Sequence, residues 1–271
     1  MPELPEVETV ARGLDACLAG RTIRDVTIRW PRTIAFPSVP EFQKLVAGRR
    51  VVSVSRRGKY VVVGLDEGCL LIHLKMSGRL GVVPAAEPLD KHTHTYFDLD
   101  DGRQLRFRDV RKFGRIYLVG DPGQVTEELG PEPLAIDFSL EDFRRLLARR
   151  SARLKSLLLN QQFLAGLGNI YADESLFVAR LHPLRKADSL TPGEQARLYE
   201  GIRLVLDRAV AGRGTTLDDS GYVDAEGRPG AYQDQIAVYG RGGEPCFTCQ
   251  TSIERIIVGG RSTHFCPRCQ E

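Results

Sequence analysis

The feature that most constrains this chain is its last stretch. Four of the six cysteines fall within the final 26 residues, as Cys246-x2-Cys249 and Cys266-x2-Cys269, with 16 residues between the pairs. Each pair can form a tight knuckle that presents two thiolates to one tetrahedral ion, and the spacing is that of a zinc ribbon. Four thiolates fill the coordination sphere and leave no position for a substrate. The expected metal is therefore one structural Zn2+, which helps fold a tail too short to own a core. His264 could stand in for a thiolate, but four well-spaced cysteines make that unnecessary. Cys17 and Cys69 lie alone in apolar segments and read as small buried hydrophobes.

At roughly 100–200 residues per domain, 271 residues suggest one large or two ordinary domains. Hydrophobic residues make up 42% and charged residues 27%, which excludes a wholly disordered chain, a collagen-like fibre and a coiled-coil rod. The longest apolar runs, such as Leu70–Leu74, are far shorter than the roughly 20 residues a membrane span needs. The opening residues show no positive region followed by an apolar stretch, so the expected location is the cytoplasm. In that reducing compartment metal binding prevails over disulfides.

The net charge of +3, from 38 Lys and Arg against 35 Asp and Glu, decides little. The bunching says more. Basic groups fall at Arg49, Arg50, Arg56, Arg57 and Lys59, then at Arg103–Arg115, then at Arg144, Arg145, Arg149, Arg150, Arg153 and Lys155. Acidic residues collect elsewhere, as at Asp121–Asp142. Such segregation can build a positive groove for a polyanion, although any one group reads equally well as solvated surface.

Hydrophobic spacing at Val7, Val10, Leu14 and Leu18 predicts an amphipathic helix ended by Gly20. From Thr22 to Val119 the pattern changes to short strands: Val26–Trp30, Arg50–Ser55, Tyr60–Leu65, Leu70–Leu74, and a hairpin joining Tyr96–Leu99 to Gln104–Phe107. Residues 120–138 carry the Pro and Gly punctuation of a linker. Helices follow: Ser139-Leu140-Glu141-Asp142 reads as a capping box, and Thr191-Pro192 opens a helix that runs to about Ala211. Residues 213–235 are rich in Gly and Asp and read as a mobile loop.

Several motifs, in this order, resemble the bacterial formamidopyrimidine-DNA glycosylases along essentially the whole chain. They are Pro2-Glu3-Leu4-Pro5-Glu6-Val7-Glu8-Thr9, Arg57-Gly58-Lys59-Tyr60, His73-Leu74-Lys75-Met76-Ser77-Gly78 and Lys91-His92. Asp109-Val110-Arg111-Lys112-Phe113-Gly114, Gly166-Leu167-Gly168-Asn169-Ile170-Tyr171-Ala172-Asp173-Glu174 and the cysteine pairs complete the set. The resemblance implies an α+β fold: an N-terminal antiparallel β-sandwich with an N-terminal helix, then a helical helix-two-turns-helix domain ending in a zinc ribbon. The expected boundaries are 1–130 for the catalytic sandwich, 131–235 for the helical DNA-binding domain with a lesion-site loop, and 236–271 for the ribbon.

The resemblance also implies an enzyme that removes oxidised purines from duplex DNA and cleaves the strand by β,δ-elimination. In it, Met1 is removed and Pro2 is the nucleophile, Glu3 the general acid/base and Lys59 a proton donor that also touches DNA. Glu6 either positions the site or serves only the helix terminus. Arg261 matches a zinc-hairpin arginine credited with a part in δ-elimination. Arginine is a poor proton donor, so phosphate contact is the preferred reading, shared with Thr263 on the same hairpin. Met76, Arg111 and Phe113 match residues that fill the space left by an extruded nucleotide. Asn169 is expected at a helix start suited to phosphate. His92, Arg150 and Lys155 align less securely with backbone contacts, and Tyr171 reads equally as core. Where the family commonly has Asp-Pro-Arg-Arg, this chain has Asp109-Val110-Arg111-Lys112, and a small local change is expected. Leu4 and the intact filler set argue against an endonuclease VIII-like enzyme for oxidised pyrimidines, and Pro2, Glu3 and Lys59 against a non-catalytic damaged-DNA-binding zinc protein. No organic cofactor, no membrane and a monomer in the bacterial cytoplasm, on the nucleoid, are expected.

Overall fold

A computed structural model describes residues 1–217 and 221–271. The chain packs as two compact units, residues 1–128 with 212–233, and residues 129–211 with 234–271. This division differs from the expected boundaries at 130 and 235. Most of the expected 213–235 loop belongs to the first unit, and the ribbon shares a unit with the helices. Asp218, Asp219 and Ser220 of that loop lie outside the described residues.

The first unit begins with α1 (Leu4–Leu18), one turn earlier than the apolar spacing suggested. Leu4, Val7, Val10, Ala11, Leu14 and Leu18 are all buried, so one stripe of the helix faces the core. There follow β1 (Ile23–Ile28), β2 (Ile34–Phe36), α2 (Val39–Val46), β3 (Val51–Arg57), β4 (Tyr60–Leu65), β5 (Cys69–His73), β6 (Gly78–Pro84), β7 (Thr93–Leu99), β8 (Arg103–Asp109), β9 (Arg115–Val119) and the single-turn α3 (Gly123–Thr126). One sheet has the order β1-β7-β8-β6 and the other β2-β9-β5-β4-β3. Every pairing is antiparallel except that of the short β2, which runs parallel to β9. The core draws on both sheets and on α1, with Val54, Val63, Leu70 and Ile116 from one sheet and Val26, Leu80, Phe97 and Phe107 from the other.

The 212–233 segment joins this unit for local reasons. Ala225 packs closely enough on α1 that a Cβ on Gly13 would sit 2.9 Å from its own Cβ. Tyr222 is buried in the sandwich core.

The second unit contains α4 (Leu140–Leu147), α5 (Leu154–Leu159), α6 (Asn169–Val178), α7 (Pro192–Ala211) and the hairpin β10 (Glu254–Val258) and β11 (Arg261–Phe265). The expected capping box is formed: the Ser139 hydroxyl accepts the Asp142 N–H at 3.2 Å, and the Asp142 carboxylate accepts the Ser139 N–H at 2.9 Å. α5 and α6 are the two helices joined through residues 160–168. Phe143, Phe163, Phe138 and Tyr199 pack ring against ring beside them. No helix among the described residues is long and apolar enough to cross a membrane.

At the start of α7, the Glu194 carboxylate accepts the Thr191 N–H at 2.8 Å and both terminal nitrogens of Arg185 at 3.1 and 3.2 Å. The Arg185 bonds, with help from Thr191, hold its carboxyl down to about 2 from an ordinary 4.5. A depressed carboxyl stabilises the fold above its unfolded pKa and loses that contribution as pH falls toward the folded one. The stability gap between the protein and Glu194→Gln should therefore be full at neutral pH and shrink from pH 4.5 toward about 2. Urea denaturation at stepped pH checks this; a gap independent of pH would contradict it.

Candidate active site

The expected site residues divide between the units. Pro2, Glu3, Lys59, Met76, His92, Arg111 and Phe113 lie in the first, and Arg150, Asn169, Arg261 and the four cysteines in the second.

In the first unit Met1 is exposed, and the residues directly after it are buried. Pro2 is buried, as are Glu3 and Glu6 at 3% and 2% exposure. Glu3 is the residue that caps α1, and its N–H donates to Glu6 Oε2 at 2.8 Å. Glu6 Oε1 accepts the Thr215 N–H at 2.7 Å. A Cβ on Gly214, whose φ is +77°, would lie 2.7 Å from that same oxygen, so glycine is required there. The Tyr222 hydroxyl donates to the Arg213 carbonyl at 3.1 Å, and burial together with the nearby Glu6 charge raises its pKa. Of the two readings left open for Glu6, this bonding matches a residue that holds the terminus in place.

Lys59 directly precedes β4, whose bounds are those read from the sequence. It lies in the two-residue turn Gly58-Lys59 that joins β3 to β4, where Arg57 pairs with Tyr60. Gly58 takes the positive φ of +56° that such a turn demands. Lys59 is only 7% exposed. Nearby His73 accepts the Lys75 N–H on Nδ1 at 3.0 Å. Burial, then the charges of Lys75 and Lys59, hold its pKa near 3, so the imidazole is neutral at physiological pH.

Met76, Arg111 and Phe113 are brought together by a residue with no role expected of its own. Asp109, 1% exposed, closes two turns at once. Its Oδ1 accepts the Ser77 hydroxyl at 2.5 Å and the Arg111 N–H at 3.2 Å, and its Oδ2 accepts the Gly114 N–H at 2.7 Å. The Arg111 N–H also donates to Ser77 Oγ at 3.0 Å. Met76 and Phe113 remain 40% and 48% exposed, and the Arg111 guanidinium lies 5.4 Å over the Phe113 ring. His92 is half-buried, its N–H donating to Asp90 at 2.5 Å.

In the second unit Asn169 opens α6, as expected. Its Nδ2 donates to the Ser262 carbonyl at 2.9 Å, which seats the helix start beside the hairpin that carries Arg261. Arg261 is exposed at the head of β11, after the Gly259-Gly260 turn with φ of +56° and +74°. Arg150 is exposed and Tyr171 is fully buried core. Lys155 is not a backbone-contact residue. It is fully buried, with its ammonium bonded to Asp173 at 2.6 Å and to the Asn169 carbonyl at 2.9 Å. Asp173 in turn accepts the His264 N–H at 2.9 Å. Helix α6, the helix before it and the hairpin thus share one buried charge network.

The four cysteine sulfurs lie within 4.8 Å of one another. Cys246 and Cys269 are 3.9 Å apart and Cys249 and Cys266 3.4 Å, whereas zinc–sulfur bonds of about 2.3 Å give a tetrahedral edge of about 3.8 Å. The set fits a zinc ion.

Three family models match in chain order: "Formamidopyrimidine-DNA glycosylase N-terminal domain" over residues 1–116, "Formamidopyrimidine-DNA glycosylase H2TH domain" over 129–220 and "Zinc finger found in FPG and IleRS" over 243–271. The chain belongs to the formamidopyrimidine-DNA glycosylase family. The formamidopyrimidine-DNA glycosylases of Herpetosiphon aurantiacus and Heliobacterium modesticaldum are 49% and 50% identical to it, each over 100% of both chains. Among solved structures, the MutM (FPG) protein of Thermus thermophilus is 45% identical, with TM-score 0.89 and 99% and 98% coverage. A Lactococcus lactis FPG variant in complex with DNA containing Fapy-dG is 35% identical, with TM-score 0.92 over 100% of both chains.

Within this glycosylase fold, the four cysteines hold one structural zinc ion. A strong chelator should unfold the β10–β11 hairpin and open it to protease while the first unit keeps its cooperative transition; an unchanged digestion pattern would contradict this. Asp173→Ala should cost about 3–5 kcal/mol, because it leaves Lys155 charged and buried without its partner. A loss below about 1 kcal/mol in urea denaturation, the scale of an exposed pair, would show the network to be solvated.

Proposed function

We propose that this protein excises oxidised purines, 8-oxoguanine and formamidopyrimidines, from duplex DNA and then cleaves the abasic strand. The observation that carries this reading is the burial of Pro2 and Glu3 directly behind Met1, with the Glu3 N–H held by the Glu6 carboxylate. Residues beside a chain end are ordinarily loose, and here Glu3, next to Pro2, is anchored as a reacting group must be.

With Met1 in place the Pro2 nitrogen is an amide. Once Met1 is removed it is a secondary amine, and an α-amino group has a pKa of about 8, so a good fraction is neutral at physiological pH. Attack on the sugar C1′ breaks the bond to the base, which leaves as an anion and takes up the proton that the Pro2 nitrogen gives up. Opening of the sugar ring, with a proton delivered to its O4′ by Glu3, gives an iminium ion on Pro2. That cation withdraws electrons, so a C2′ proton is lost and the 3′ phosphate departs; δ-elimination releases the 5′ phosphate. Lys59, buried in a rigid hairpin turn, serves proton transfer and strand contact. Met76, Arg111 and Phe113 fill the vacated stack and meet the partner base. Asn169 and Arg261, seated together, grip phosphate. Lactococcus lactis Fpg has been crystallised with DNA containing Fapy-dG or an abasic site, which supports this substrate class. The protein acts as a monomer.

Mixing the protein with an 8-oxoguanine·cytosine duplex and borohydride should give a covalent adduct that peptide mapping places on Pro2. Pro2→Gly should form far less of it. No adduct and no strand cleavage, with Met1 shown to be absent, would overturn the enzymatic reading.

A further inference from the structure

The turn that carries Arg111 and Phe113 has a second anchor besides Asp109. Lys112, between them, is held at a φ of +59°, a left-handed conformation that a lysine adopts only when its surroundings enforce it. Its ammonium lies 4.3 Å from the centre of the Trp30 ring. Trp30 is the only tryptophan in the chain. Arg32 lies 5.9 Å from the same ring. The platform is rigid, since the Trp30 N–H donates to the His94 carbonyl at 3.3 Å and a ring nitrogen of His94 lies 2.8 Å from the Asp109 carbonyl. The backbone that bears Trp30 is thus tied, through His94, to the residue that closes the turn. Asp109 secures the two ends of the turn and leaves its middle, at Lys112, to the indole. Among the described residues the buried indole Nε1 meets no hydrogen-bond partner, and what the ring offers Lys112 is its face.

We propose that Trp30 is a positioning residue for base-pair recognition: by holding Lys112 on its ring face it presets Arg111 and Phe113 before DNA arrives. The proposal rests on the reading of Arg111 and Phe113 given above. Trp30 itself touches neither the lesion nor the sugar. Its effect is on the orientation of Arg111 toward the partner base, and hence on how strongly the enzyme prefers one partner base over another.

The test compares single-turnover excision of 8-oxoguanine opposite cytosine and opposite adenine. Trp30→Leu should compress the cytosine-to-adenine rate ratio roughly fivefold, the scale of one cation–π contact, and Trp30→Phe should restore most of it. Lys112→Met, at an exposed position, should reproduce the compression, and the double variant should be no worse than either single one. In the free protein, Lys112→Met should also shift the Trp30 fluorescence. A general loss of stability would lower both rates together and leave their ratio alone. If Arg111→Ala leaves the ratio unchanged, the assignment of Arg111 fails, and the proposal with it. If Arg111→Ala collapses the ratio while Lys112→Met leaves both ratio and fluorescence unchanged, the proposal alone is overturned.

Discussion

A single buried carboxylate, that of Glu6, fixes the geometry on which the amino-terminal site depends. One of its oxygens takes the N–H of Glu3 and the other the N–H of Thr215, more than two hundred residues further along the chain. A carboxylate out of water is costly unless its lone pairs are met by donors, and here the donors are backbone amides that cannot swing away. The penalty for breaking either bond is what holds Glu3 and Thr215 in place. It also explains why residues 212–233 pack with the sandwich although they follow the helices in sequence.

The same device recurs. Asp109 spends its two oxygens on the turns that carry Met76 and Arg111. Glu174 accepts three consecutive N–H groups, from Ala237, Val238 and Tyr239, and so fastens the approach to the ribbon onto α6. Asp173, its neighbour, joins Lys155 to the hairpin. The residues proposed for recognition at Met76, Arg111 and Phe113 sit on irregular backbone, which cannot hold its own shape by helix or sheet bonding. Buried acids take over that task, each facing amides that would otherwise be unpaired.

Much of this was legible in the sequence, and for identifiable reasons. The helix ending at Leu18, the strand Tyr60–Leu65 and the helix Pro192–Ala211 show strong periodicity with clear stops, and they stand as read. The cysteine spacing identified the ribbon because four ligands to one ion leave little geometric freedom. What was not legible depends on partners distant in sequence. Helix α2 is short, with only Phe42 and Val46 buried, too few positions to display a period. Lys155 reads as one more member of a basic run. Only the fold shows that Asp173 meets it in a dry interior. Asp109 was visible as part of a motif, but its role as the link between two turns arises from tertiary contact.

The ribbon carries a liability. Cys249 and Cys269 are each only partly buried, while Cys246 and Cys266 are buried. Oxidation of either partly buried thiolate would remove one of the four donors, and a hairpin with almost no core of its own would loosen along with Ser262, the residue that braces Asn169. Oxidants damage guanine and thiolates alike. The chemical stress that creates work for a glycosylase of this kind is therefore also a stress on the part of the molecule that keeps its helix start in place.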